Sequence, residues 1–126
     1  EAAGLCSTLR VPHAGHDAGT AKCGPVGQQP GPASPETPTV LVEDSRNTNS
    51  WITPEREKHH DDNHAALKAV YDKMVAAGVK GLFYIGGDHL YGDDADGSTD
   101  GSHASDLGFV RQSDIFEPVL RAALKK

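Results

Sequence analysis

The sequence predicts an α/β fold built on parallel strands, and three observations carry that expectation. Two short apolar runs, Thr39-Val40-Leu41-Val42 and Gly81-Leu82-Phe83-Tyr84-Ile85, are continuous enough to be strands buried on both faces. A helical pattern separates them, and a second helical pattern follows a long polar loop. The order β-α-β-loop-α places the strands side by side and parallel, joined by a right-handed crossover.

The first strand is β-branched and ends in Glu43-Asp44. Thr53-Pro54-Glu55 then marks a helix start, with an N-cap, a proline suited to the first turn and an acid near the positive helix end. Leu67, Val70, Tyr71, Met74 and Val75 recur at helical spacing, so an amphipathic helix is expected to end at Ala77 with Gly78 as its C-cap. Gly86-Gly87 closes the second strand, and the polar loop runs to Ala104. Ser105 caps the final helix, whose apolar face uses Leu107, Val110, Ile115, Val119 and Leu120, with a kink or break expected before Pro118.

Upstream the chain has a different character. Residues 1–38 hold six of the eight prolines and six of the fourteen glycines. Thr8-Leu9-Arg10-Val11 is the one plausible short strand there. The expected division is an irregular Gly/Pro-rich segment over 1–36 and an α/β domain over 37–126.

The 126 residues suffice for one small domain. A net charge of -6 argues against nucleic acid or an anionic membrane as the main partner. No apolar run approaches the roughly 20 residues of a membrane span, and no h-region marks a retained signal peptide. Cys6 and Cys23 fit either one disulfide or two reduced thiols, which leaves the compartment open.

The chemistry concentrates in Asp100-Gly101-Ser102-His103, at the loop-to-helix junction. A carboxylate three residues before a histidine can reach the imidazole Nδ1–H and leave Nε2 free as a general base. The competing reading is a turn-capping aspartate beside a solvated histidine. In parallel sheets, functional groups gather at the carboxyl ends of the strands, where both Glu43-Asp44-Ser45 and the Asp88–His103 loop belong.

With its flanks, this motif resembles the C-terminal half of the SGNH (GDSL-type) hydrolases over residues 37–124. The likeness rests on the Thr39–Asp44 strand and the Asn63…Leu67…Tyr71 helix. It continues through Gly78-Val79-Lys80-Gly81-Leu82-Phe83-Tyr84-Ile85 and Asp100-Gly101-Ser102-His103 to Asp106-Leu107-Gly108-Phe109…Pro118-Val119-Leu120. It implies a flavodoxin-like three-layer α/β/α domain, here incomplete, that hydrolyses esters with a Ser-His-Asp triad and no cofactor or metal. His103 would be the general base and Asp100 its orienting acid. The implied substrates are short-chain esters or acylated carbohydrates.

The family's Gly-Asp-Ser-Leu and Gly-x-Asn-Asp blocks, which bring the nucleophile and the oxyanion donors, have no counterpart in residues 1–36. Ser7 is the nearest candidate nucleophile, with Cys6 beside it. A chain short of these blocks would leave sheet edges unpaired, which predicts self-association, a partner chain completing the sheet, or marginal stability.

Two further clusters deserve weighing. His59, His60, Asp61, Asp62 and His64 crowd the first helix, with His60 and His64 at i, i+4 spacing. The expectation is a solvated, acidic helix start, with a metal site as the competitor. Asp94-Ala95-Asp96-Gly97 fails as an EF-hand, because that frame puts Gly92 at the first ligand position and His103 at the twelfth. Trp51 is expected to be a packing anchor, with a substrate-cleft role as the alternative. Three functions therefore compete: a serine-type ester hydrolase, a catalytically inactive truncated relative, and a small His/Asp metal-binding protein.

Overall fold

A computed structural model describes the backbone of residues 7–10 and, in full, residues 37–125. Its elements are β1 (Ser7–Arg10), β2 (Thr39–Val42), a short 3-10 helix (Ser50–Ile52), α1 (Pro54–Ala76), β3 (Leu82–Ile85) and α2 (Asp106–Leu124). The sheet order is β1-β2-β3. β2 and β3 run parallel, with Thr39 opposite Leu82 and Val42 opposite Ile85, as the crossover pattern requires. β1 is antiparallel to β2, pairing Ser7 with Val42 and Arg10 with Thr39. The expected upstream strand is therefore present, shifted by one residue.

Central and edge positions in the sheet explain how the strands differ. β2 has a neighbour on each side, and Val40, Leu41 and Val42 are all buried. β3 lies at the edge, so only Ile85 is buried while Leu82, Phe83 and Tyr84 are half-buried. The fully buried second strand that the sequence suggests is thus only partly realised.

Strand alternation assigns the two helices to opposite faces. On one face Val40, Val42 and Ile85 form the core with Leu90, and Phe83 and the α2 residues Ile115, Phe116, Val119, Leu120 and Ala123 pack against them. On the other face Tyr84 meets Tyr71 of α1, with ring centroids 5.0 Å apart. Among the described residues this is a three-layer α/β/α arrangement, with a three-stranded sheet, two of its strands parallel, between two α-helices.

Local chemistry sets the helix ends. α1 begins with Pro54 at its first turn and Thr53 at the N-cap, although the Thr53 hydroxyl makes no capping bond. It closes in a Schellman motif one residue earlier than expected. Gly78, at φ 78, donates to Val75 O, and Val79 N donates to Met74 O at 3.1 Å.

α2 is capped by Ser105, whose hydroxyl accepts from Gly108 N at 3.2 Å. It runs unbroken through Pro118, contrary to the expected break. Asp114 and Pro118 both lie on the exposed side, so the carbonyl that loses its N–H partner can be served by water.

The first turn of α2 also departs from the pattern. Leu107, Phe109 and Val110 are exposed, and the buried residue is Gly108. A Cβ on Gly108 would stand 2.0 Å from Gly97 O, so the helix start approaches the loop through a bare Cα. That approach turns the neighbouring apolar side chains outward. The packed stripe is therefore the later one, from Ile115 to Ala123.

Candidate active site

Asp100 and His103 come together in the loop that leads into α2. His103 Nδ1 lies 2.7 Å from Asp100 Oδ2. A carboxylate only accepts, so in the neutral imidazole the proton sits on Nδ1 and donates to Asp100. Nε2 then carries the free lone pair, and it has no hydrogen-bond partner among the described residues.

The other carboxylate oxygen, Oδ1, accepts from Ser102 N at 2.9 Å and His103 N at 2.8 Å. The backbone amide of His103, then its ring, then the amide of Ser102 hold the Asp100 carboxyl well below the ordinary carboxylate range. The side chain of His103 is 81% exposed, so a reactant arriving from solvent can reach Nε2.

This motif needs glycine in its second position. Gly101 has φ 88, and a Cβ there would lie 2.3 Å from Asn49 Nδ2. Gly101 O accepts from Thr48 N at 2.9 Å. The segment after β2 is therefore stitched to the Asp100–His103 turn, and neither strand pattern nor helix periodicity announces that contact. Beneath the loop, Leu90 is 1% exposed and roots it in the core.

Trp51, on the 3-10 helix next to this segment, is 74% exposed. The packing-anchor expectation is overturned. The residue of this short helix that turns inward is Ser50, which is buried while Trp51 and Ile52 face out.

The histidines of α1 also differ from expectation. His60 and His64 are buried rather than solvated. His60 Nδ1 bonds Asp44 Oδ2 at 2.7 Å, and its Nε2 accepts from Asn47 N at 3.3 Å. His64 Nε2 donates to Asp44 O at 2.8 Å. His64 Nδ1 lies 3.4 Å from both Glu43 Oε2 and Asp88 Oδ1.

Asp44, His60 and His64 present ligand atoms within 4.8 Å of one another. Those atoms are already engaged with each other and with backbone, and the Arg46 guanidinium adds a positive charge 2.7 Å from Asp88. The geometry is that of a hydrogen-bonded clamp joining α1 to the carboxyl end of β2.

Charges around the clamp follow from these contacts. Burial pushes the Asp88 carboxyl up, but its bond to Arg46 outweighs this and leaves it below its ordinary value. Burial, reinforced by the hydrogen bond to Glu43, pushes the Tyr84 hydroxyl up. Glu43 also accepts from Gly87 N at 2.7 Å, which ties the ends of β2 and β3 together. Glu43 and Asp44 are legible at this edge from sequence, whereas Arg46 and Tyr84 are not, because they bond Asp88 and Glu43 across about forty residues.

Ser7 stands opposite Val42 in β1. Because β1 is antiparallel, its first residue lies at the carboxyl end of β2, the edge from which the functional loops leave. The side chain of Ser7, and Cys6 and Cys23 entirely, fall outside the described residues.

A sheet with helices on both faces is the arrangement that the resemblance to the SGNH hydrolases implies, with Asp100 and His103 in contact on the loop after the last strand. Comparison with known proteins agrees. The chain matches the model of the GDSL-like lipase/acylhydrolase family over residues 10–121, and it belongs to that family. The match begins upstream of Thr37, the domain boundary expected from composition.

Among solved structures, a Bacteroides ovatus protein named as a GDSL-like lipase is similar in fold, with a TM-score of 0.66 and 24% identity. The alignment covers 71% of this chain and 27% of that one, so the chain spans about a quarter of that protein's length. No curated protein matches. No helix among the described residues is long and apolar enough to cross a membrane.

Proposed function

We propose that this chain carries the acid–base pair of a serine-type ester hydrolase. The supporting observation is the Asp100–His103 contact at 2.7 Å, with the second carboxylate oxygen fixed by two backbone amides. In this reading His103 Nε2 takes the proton of a serine hydroxyl as that oxygen attacks the ester carbonyl. Asp100 holds the imidazole in the Nδ1–H tautomer and stabilises the imidazolium that forms. The same Nε2–H then protonates the departing alkoxide, and in the second half-reaction His103 activates water against the acyl-serine. Short-chain esters or acylated carbohydrates are the substrate class.

Ser7 is the serine we assign, because its register with Val42 puts it at the carboxyl edge of the sheet. Burst hydrolysis of p-nitrophenyl acetate tests the reading. Wild type is expected to release a stoichiometric burst that His103→Ala and Ser7→Ala both lose. A burst that survives only Ser7→Ala moves the nucleophile elsewhere. No burst in wild type, with no change in His103→Ala, sinks the hydrolase reading. It would favour the second one, an inactive relative of the family, which is motivated by the lack of a Gly-Asp-Ser-Leu or Gly-x-Asn-Asp block in residues 1–36.

A further inference from the structure

Three consecutive carbonyls of the His–Asp turn are each held by a different part of the chain. Gly101 O accepts from Thr48 N at 2.9 Å. Ser102 O accepts from the Tyr91 hydroxyl at 3.0 Å. His103 O accepts from Ser98 Oγ at 2.8 Å and Thr99 N at 3.1 Å.

Each peptide unit is a rigid plane, so what holds its carbonyl also aims its N–H. The plane between Ser102 and His103 is pinned at both ends, by Tyr91 at the oxygen and by Asp100 Oδ1 at the nitrogen. The plane between Gly101 and Ser102 is pinned likewise, by Thr48 N and by the same Oδ1. These are two of the three peptide planes between Asp100 and His103, and the two nearer the imidazole. Their orientation sets whether Asp100 Oδ2 meets His103 Nδ1.

Tyr91 differs from the other holders because it comes from the interior. It is 8% exposed, whereas Ser98 and Thr99 belong to the same surface loop as the turn. Its own backbone is fixed as well. Arg111 Nη1 donates to Tyr91 O at 2.8 Å while the guanidinium forks onto both oxygens of Asp94 at 2.6 Å. A continuous chain of bonds thus runs from α2 through Arg111 and Tyr91 to the peptide that aims His103.

We propose that Tyr91, its backbone carbonyl held by Arg111, is a positioning residue for His103: its hydroxyl fixes the Ser102–His103 peptide so that the imidazole stays on Asp100 with Nε2 free. This rests on the hydrolase reading for its purpose, and its geometry can be tested without substrate.

The test is the tautomer of His103, read from long-range ¹H–¹⁵N correlations well above the ordinary histidine pKa of about 6.5. His103→Ala identifies the signal among the seven histidines. Wild type is expected to be Nδ1–H. Tyr91→Phe keeps the ring and loses one hydrogen bond, so the ratio of Nδ1–H to Nε2–H should fall about fivefold. Ser98→Ala should shift it less, because Thr99 N still holds the same carbonyl.

An unchanged ratio in Tyr91→Phe overturns the proposal. If that variant does not fold, Arg111→Gln carries the test, with the same direction expected and the same refutation. A wild-type Nε2–H tautomer also overturns it, by breaking the Asp100 contact. Failure of the hydrolase reading shows separately, as a wild type with no burst and an intact Nδ1–H tautomer.

Discussion

Replacing Gly101 by alanine should loosen the Asp100–His103 turn by an amount that can be worked from its geometry. At φ 88 a side-chain-bearing residue is strained by roughly 1–2 kcal/mol. The new Cβ would also lie 2.3, 2.5 and 2.7 Å from the three amide atoms of Asn49. These are the end of a short side chain, which can swing away, but its retreat disturbs the Thr48 N–Gly101 O bond of 2.9 Å. Losing that bond adds about 1 kcal/mol. The expected total is about 2–3 kcal/mol, read by urea denaturation followed by far-UV circular dichroism. The exposed Trp51 is a poor reporter for this purpose. Asn49→Ala in the Gly101→Ala background removes the clash and should leave roughly the backbone cost alone. If Gly101→Ala lies within about 0.5 kcal/mol of wild type, the backbone and contact reasoning at this turn is wrong.

Other substitutions separate core from surface. Leu90→Ala empties a site 1% exposed beneath the loop and should cost about 2–5 kcal/mol, whereas Trp51→Ala should change stability by less than about 0.5 kcal/mol. A larger loss at Trp51, measured by the same denaturation, would restore the packing-anchor reading. Asp44→Ala leaves buried His60 without its 2.7 Å partner and should destabilise by about 1–3 kcal/mol, while Asp62→Ala, an exposed partner of Lys58, should be near neutral. The Asp100 carboxyl, followed by ¹³C NMR, should titrate below the usual carboxylate range. Because its folded pKa is depressed, its contribution to stability is present above the unfolded value near 3.9 and is lost as pH falls through the folded value. His103→Ala should only partly raise that titration, since the amides at 102 and 103 remain; complete return to the ordinary value contradicts the backbone contribution.

The parts of this protein legible in its sequence are those governed by nearby residues. β2 and β3 are continuous apolar runs, α1 carries Pro54 and Gly78 at its ends, and Ser105 caps α2, all through contacts within a few positions. The Asp100–His103 pairing belongs with them, because an offset of three residues across a tight turn puts the two side chains within reach of each other. The crossover order then makes β2 and β3 parallel.

Tertiary packing decided the rest, because long-range neighbours leave no local period. Gly108 closing on Gly97 turned Leu107, Phe109 and Val110 outward against their helical pattern. The clamp from Asp44 drew His60 and His64 inside, where composition alone suggested a wet helix start. Trp51, hydrophobic by type, faces solvent because its short helix turns Ser50 inward instead. Tyr91 and Thr48 reach the His–Asp turn from separate segments, and Arg111 of α2 holds Tyr91 in turn. The sequence therefore specifies that a carboxylate and an imidazole will meet, while the folded chain determines how firmly and in which orientation they are held. A turn of four residues can bring the pair within reach and hold the N–H ends of its peptide planes on Asp100, but their carbonyl ends are held by groups outside the turn, Thr48 and Tyr91 among them.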